Sequence, residues 1–273
     1  MNEPMPENSS PKISIITIVR NDKKGIERTL ASVEREKNYL VEYIIIDGAS
    51  TDGTVETIES HLDIVDNFIS EQDNGIYDAM NKGVRLASGD VICMINAGDE
   101  LEPGAINLVL NSLEIHGSHS IYFGDAYYSY EDTGSKRMVS AQAENIIWKM
   151  SICHQAVFIP KSVYYKYGLY SLKYRYAADF DFILRVYMAG ERFFYVNGVL
   201  AVFYTGGASD KKIHRSRIES IRILHSQNSP VKWRASVRYI FEVLQYYVYD
   251  AISQIFGVQF AIRMRKLLAR GGV

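Results

Sequence analysis

The 273 residues are 47% hydrophobic and 12% aromatic, enough for one sizeable core or a core with an appendage, and cramped for two full domains. The formal charge of −2 hides an asymmetry, since residues 211–273 hold twelve Lys/Arg against three Asp/Glu; the acidic remainder would repel a nucleic-acid backbone, which argues against a nucleic-acid partner. Cys93 and Cys153 lie in separate apolar runs without a neighbour at metal or redox spacing, and read as buried free thiols in a reducing compartment.

Residues 1–12 are polar and Pro-rich, lack the apolar stretch of a signal peptide, and read as a loose tail. Ile13 to Val19 is an apolar β-branched run, followed by a helix from about Gly25 with Ile26, Leu30 and Val33 on one stripe. Tyr43 to Ile46 reads as a second strand, then a helix carries Val55, Ile58 and Leu62 inward. A short strand at Phe68 to Ser70, a helix at Ile76 to Leu86 and a strand at Val91 to Ile95 follow. This alternation predicts parallel strands joined by crossover helices.

Beyond a helix at Pro103 to Ile115 the pattern becomes irregular. Short aromatic strands at Ile121 to Tyr130, a strand at His154 to Ile159 and a helix at Ala178 to Ala189 are expected. Phe193 to Tyr204 reads as a strand pair broken at Asn197-Gly198. The coarse expectation is an α/β sandwich, its regular nucleotide-type half first.

Ligands of an open α/β sheet bind beyond the carboxyl ends of the strands. Four such ends carry acids or amides here: Thr17 to Asn21, Asp47 to Asp52, Asp73 to Gly75, and Asn96 to Asp99. No GxGxxG follows the first strand and no GxxxxGK[ST] occurs, so a bound phosphate must be neutralised in another way. A strand-end carboxylate such as Asp99 can do this by holding Mg²⁺ or Mn²⁺ against a substrate diphosphate.

Six ordered motifs resemble family 2 glycosyltransferases of the GT-A fold, the bacterial exopolysaccharide, capsule and lipopolysaccharide type. They are ISIITIVRN (13–21), EYIIIDGASTDGT (42–54), SEQDNGIYDAMNKG (70–83), ASGDVICMINAGD (87–99), HQAVFIP (154–160) and YAADFDFILR (176–185). The resemblance implies a Rossmann-like nucleotide-binding half, an irregular acceptor half and a mixed central sheet over residues 13–210. It implies that Thr17 to Arg20, Val19 included, and Asp47 cradle the donor's base and ribose, and that Asp52, Asn96, Ala97 and Gly98 lie on the donor side. Asp73, Gly75, Asn81 and Lys82 would line the nucleotide and its diphosphate.

Asn96-Ala97-Gly98-Asp99 occupies the position of the family's Asp-x-Asp-like metal motif, with Asp99 as metal ligand and Gly98 where an acid is usual, which implies weaker metal affinity. His154 and Gln155 resemble the pair facing acceptor or sugar, and Asp179, with Asp181 beside it, matches the general base. Gly206 to Ser209 resembles a loop that closes over the donor.

From Lys232 onward apolar residues recur at helical spacing from Trp233 to Ile255, interrupted too often by polar residues for a membrane span and followed by Arg263, Arg265, Lys266 and Arg270. Residues 211–273 therefore read as a basic amphipathic helical tail suited to an anionic membrane surface, or to packing on the catalytic domain or a second copy of the chain. The function this implies is inverting, metal-dependent sugar transfer from a nucleotide-diphosphate sugar, UDP by default, to a glycan or lipid-linked acceptor in surface-polysaccharide synthesis. Its expected place is the cytoplasmic face of the plasma membrane. Two alternatives are a nucleotide-sugar-binding module without transferase activity and a sugar nucleotidyltransferase. The second needs a Gly-rich basic loop after the first strand, and Ile18 to Asn21 offers none.

Overall fold

Seven consecutive buried residues in Ile13–Val19 (β1), and again in Val41–Asp47 (β2), are what a parallel strand covered on both faces requires. The computed structural model describes residues 12–130, 133–206 and 213–256. In it β1 pairs in parallel with β2 and with Val91–Met94 (β4), and β2 pairs in parallel with Asn67–Ser70 (β3). Three helices cross between these strands: Lys23–Glu36 (α1), Thr54–Glu59 (α2) and Ile76–Leu86 (α3). The register Val19↔Asp47↔Ser70 ends β1, β2 and β3 level, so the loops that follow all open at one edge of the sheet.

The second half is mixed, as the sequence suggests. Glu100–Leu101 (β5) and Ala105–His116 (α4) lead into Ile121–Tyr130 (β6), Ser135–Val139 (β7), Val157–Pro160 (β8), Lys161–Tyr167 (α5), Ala178–Met188 (α6) and Phe193–Tyr204 (β9). The sheet runs β3-β2-β1-β4-β8-β6-β9-β5, and β7 pairs with the later part of β6, beyond its pairing with β8.

Four expectations change. Helix α2 ends at Glu59, so Ile58 is buried but Leu62 falls beyond the helix and is exposed. Pro103 precedes the α4 helix, which starts after Gly104 (φ +84°). His154–Ala156 forms a turn of 3-10 helix before β8. Asn197-Gly198 makes no hairpin: β9 is one long strand parallel to β6, and the irregularity appears as register shifts around Asp125. Gly124 is needed there, because a Cβ would lie 2.6 Å from Leu200 and 2.8 Å from the Gly198 carbonyl.

Side chains alternate between two cores along β1. Ile13 and Ile15 join α1 and α4 on one face, while Ile16 and Ile18 join α3 and α6 on the other. Ile223 and Leu224 of Ile213–Ser226 (α7), with Ala235 and Tyr239 of Lys232–Phe256 (α8), belong to that second core. The Tyr239 hydroxyl donates to the Trp148 carbonyl, and Ser229 to that of Ile147. The start of the helical tail thus shares a core with residues before 210. Its other side leaves Trp233, Val237, Ile240, Phe241, Leu244, Tyr247 and Val248 exposed. No helix among the described residues is long and apolar enough to cross a membrane. Residues 1–11, 207–209, Arg263, Arg265, Lys266 and Arg270 lie outside the described residues.

Candidate active site

At the level ends of β1 to β3, the chain gathers Arg20, Asp47, Gly48 and Asp73. A Cβ on Gly48 would run into the Asp73 carboxylate and lie 3.2 Å from the Arg20 side chain, so all three share one small space. Asp47 is fully buried and accepts from the Ser50 amide at 2.9 Å, the Ser50 hydroxyl and the Ser70 hydroxyl at 2.6 Å. About three of the four lone-pair sites of this carboxylate are thereby taken up in tying the loops after β2 and β3 together. Asn21, in the left-handed region at φ +50°, ties the β1 loop to the β2 loop by accepting from the Thr51 amide. Ala49 shares that strained conformation (φ +58°), a pattern that collects at functional turns.

The remaining donor-side candidates divide. Val19 ends β1 beneath this loop, but Thr17 is fully buried in the sheet, where it accepts from the Tyr43 hydroxyl. Asp52 is exposed and starts α2 by accepting from the amide and hydroxyl of Thr54, which holds its carboxyl below the usual range. Gly75 (φ +113°) caps α3 with its amide on Asp73. Lys82 pairs with Glu71 at 2.8 Å and donates to the Gln72 carbonyl, bracing the 71–75 loop. Asn81 is not in the donor cleft: it is buried, donating to the Tyr170 carbonyl and accepting from the Tyr170 amide, both at 2.9 Å.

The turn Asn96-Ala97-Gly98-Asp99 follows β4. Gly98 sits at φ +96°, where an L side chain is strained, so the glycine in place of an acid belongs to this turn's geometry. Its amide reaches Thr29 and the Gly25 carbonyl, and its carbonyl accepts from Arg28. The Arg28 guanidinium also lies 3.9 Å from the Tyr204 ring centroid. Asp99 is 5% exposed; one oxygen accepts from Gln155 Nε2 at 2.6 Å and the other from the Tyr204 amide at 2.9 Å.

Among the described residues, no group of three or more His, Cys, Asp or Glu is arranged to hold a metal. The turn does supply hard oxygens, those of the Asp99 carboxylate and Asn96 Oδ1, the latter a buried acceptor without a hydrogen-bond partner. Mg²⁺ and Mn²⁺ accept one or two protein oxygens with the rest from a diphosphate, so these residues fit such an ion.

On the far side, His154 and Gln155 are buried between the two acids. Gln155 reaches Asp99, whereas His154 Nε2 meets the Tyr170 hydroxyl at 3.1 Å. Burial pushes the His154 pKa down, against a smaller upward pull from Asp179. Cys153 donates to the Gln155 side chain, and burial, with Asp99 and Asp179 adding to it, pushes its thiol up to about 12. Both carboxylates are therefore felt at one segment. Asp179 is half-buried and accepts from the Tyr77 hydroxyl at 2.9 Å. Asp181, two residues on and so on another face of α6, is buried against Gln227 Nε2 at 2.9 Å and Arg185 at 3.5 Å. The structure brings Asp99, His154, Gln155 and Asp179 together and turns Asp181 toward α7. Sequence reasoning missed Tyr77, Tyr170, Arg28 and Tyr204, whose roles depend on partners far along the chain.

Residues 14–176 match the model of glycosyl transferase family 2. An uncharacterised glycosyltransferase of Mycobacterium tuberculosis is 32% identical over 195 residues, covering 67% of this chain and 71% of that protein. A PGL/p-HBAD biosynthesis glycosyltransferase of Mycobacterium bovis is 30% identical over 190 residues, 66% of this chain and 71% of the relative. Among solved structures, Staphylococcus aureus TarS with UDP-GlcNAc superimposes at a TM-score of 0.67 and 13% identity, over 91% of this chain and 77% of that one. The Pyrobaculum calidifontis mannosyltransferase PcManGT with GDP-Man and Mn²⁺ gives 0.57 and 16% identity, over 97% and 77%. These structural likenesses establish a GT-A type fold.

Proposed function

Because the chain belongs to glycosyl transferase family 2 and is thereby a sugar-transferring enzyme, we propose that it takes a sugar from a UDP-class donor and passes it, with inversion, to a glycan or lipid-linked acceptor. The observation that supports this reading is that Asp99, through its contact with Gln155, and Asp179, through its charge at His154 and Cys153, both act on one segment; we read Asp99 as the acid on the diphosphate side and Asp179 as the acid on the acceptor side. UDP-GlcNAc in the TarS structure supports a uridine donor, and Mn²⁺ in PcManGT supports a divalent ion.

In this reading Arg20, Asp47 and Asp73 hold the base and ribose, and the 71–75 loop braced by Lys82 closes the nucleotide's side. Asp99 and Asn96 would hold the ion, which when bound supplies positive charge to the departing diphosphate. Asp179 takes the acceptor hydroxyl proton as that oxygen bonds to the anomeric carbon and the bond to the diphosphate oxygen breaks. One displacement inverts the configuration. Proton NMR of the first-formed product tests this: the opposite anomer to the donor's is expected, and the same anomer overturns the mechanism.

A second reading concerns place. The exposed stripe from Trp233 to Val248, flanked by Lys232, Arg234 and Arg238, supports attachment to the anionic inner leaflet of the plasma membrane. Flotation of the full chain with phosphatidylglycerol-containing vesicles, weakened in Trp233→Ser/Phe241→Ser, is expected. A chain that stays unbound and sediments as a dimer would assign the stripe to a second copy.

A further inference from the structure

Asp179 occupies the first turn of α6, where an aspartate ordinarily folds back to satisfy free backbone amides. Here it does not. Helix α6 has no side-chain cap of its own; Glu219, reaching over from α7, accepts from the amides of Arg175, Tyr176 and Ala177 at 2.9, 2.7 and 3.0 Å. Another helix thereby does the capping, and Asp179 turns to Tyr77 on α3, 102 residues away, at 2.9 Å.

We propose that Tyr77 is a positioning residue for sugar transfer, its hydroxyl fixing the Asp179 carboxylate in the orientation that faces the acceptor. The inference rests on reading Asp179 as the base. Tyr77 is itself held: it is 7% exposed, its ring lies 5.9 Å from that of Tyr170, and one turn along α3 Asn81 grips the Tyr170 backbone from both sides. The buried placement of Asn81, outside the donor cleft, thus has a purpose, since it locks α3 to the segment leading into α6. Helix α3 starts at Gly75, against Asp73, so the donor-side loop and the base are joined through a single helical turn.

Burial and the adjacent Asp179 carboxylate hold the Tyr77 hydroxyl well above its usual range, so it remains a proton donor at every working pH. The other titratable groups that feel Asp179 are His154, Cys153 and Tyr170; Asp181 and Arg185 on its own helix are engaged with Gln227 and with the Tyr167 and Leu169 carbonyls, and Glu219 is spent on amides. Among these groups Tyr77 is the one that donates a hydrogen bond to the Asp179 carboxylate.

The test is the release of UDP from UDP-GlcNAc by the full chain with Mn²⁺, kcat and donor KM being measured for the wild type, Tyr77→Phe, Asp179→Asn and the double variant. Tyr77→Phe keeps the ring and removes the hydroxyl; kcat is expected to fall about tenfold with donor KM nearly unchanged, and no further loss is expected when it is added to Asp179→Asn, because the hydroxyl acts through that carboxylate. Replacing Tyr77 by 3-fluorotyrosine, a nearly isosteric and stronger donor, is expected to alter kcat at unchanged donor KM and serves if the Phe variant does not fold. An unchanged kcat in both substitutions, or a further loss in the double variant, overturns the proposal. Failure of the base assignment is distinguishable, because it appears as undiminished turnover in Asp179→Asn.

Discussion

Asp99→Ala is expected to damage the fold as well as the chemistry. The sequence alone suggests a strand-end acid with little packing, whose removal costs only ligand binding. In the structure Asp99 is 5% exposed and accepts two N–H donors, Gln155 Nε2 at 2.6 Å and the Tyr204 amide at 2.9 Å. Truncation strands both, at roughly 1–3 kcal/mol each, and water entering the space recovers part of that, leaving about 2–4 kcal/mol. At about 2–4 °C per kcal/mol for a chain near this size, Tm should fall by roughly 5–15 °C. Asp99→Asn keeps the shape and one acceptor, so it should fall by less than half as much while losing the negative charge a cation needs. Scanning calorimetry of the three proteins, with and without UDP and Mn²⁺, reads both effects, since a ligand that binds only the folded state raises Tm. An Asp99→Ala protein that melts with the wild type would refute Asp99 as a buried hub. A full UDP–Mn²⁺ shift in Asp99→Asn would remove it from the metal site.

Asn81→Ala should cost about 2–4 kcal/mol in urea denaturation because it strands both the amide and the carbonyl of buried Tyr170, and a cost under about 0.5 kcal/mol would contradict that role. Gly98→Asp restores the family's usual acid but forces an L side chain to φ +96°, with Asp22 3.8 Å from the new Cβ; a loss of about 1–2 kcal/mol is expected, and a more stable variant would contradict the strain argument. His154 has its folded pKa below the unfolded value, so at mildly acidic pH the unfolded chain binds the extra proton. Its contribution is therefore complete above about pH 6.5 and is lost as pH falls through the lowered folded pKa; His154→Gln should flatten that part of the Tm-against-pH curve, and an unchanged slope would count against a buried neutral imidazole.

How much of this was legible in the sequence depended on the range of each interaction. Runs such as Ile13 to Val19 announce a doubly covered strand because burial on both faces leaves no polar alternation to read. Asn197-Gly198 misled, since a hairpin signature is local whereas β9 takes its partner from β6, some seventy residues earlier. The pair Asp179 and Asp181 cannot be separated by spacing alone; only Tyr77 on one side and Gln227 on the other give the two acids different surroundings. Asn81 sits in a motif beside donor-side residues, yet its partner is Tyr170. The motif marked the neighbourhood and the fold assigned the task. The helical tail showed its amphipathic period, but not that Ile223, Leu224, Ala235 and Tyr239 complete a core begun by Ile16.

The proposed reaction is sugar transfer driven by Asp179 opposite a diphosphate held by the cation at Asp99. Its most direct test is the release of nucleoside diphosphate from a panel of UDP-, GDP- and dTDP-sugars by the full chain with Mn²⁺, set beside Asp179→Asn. Turnover of a UDP-sugar is expected, falling by about 10² or more in the variant, with donor affinity nearly unchanged. Equal turnover by both proteins, or nucleotide-sugar binding without release of diphosphate by either, would contradict it.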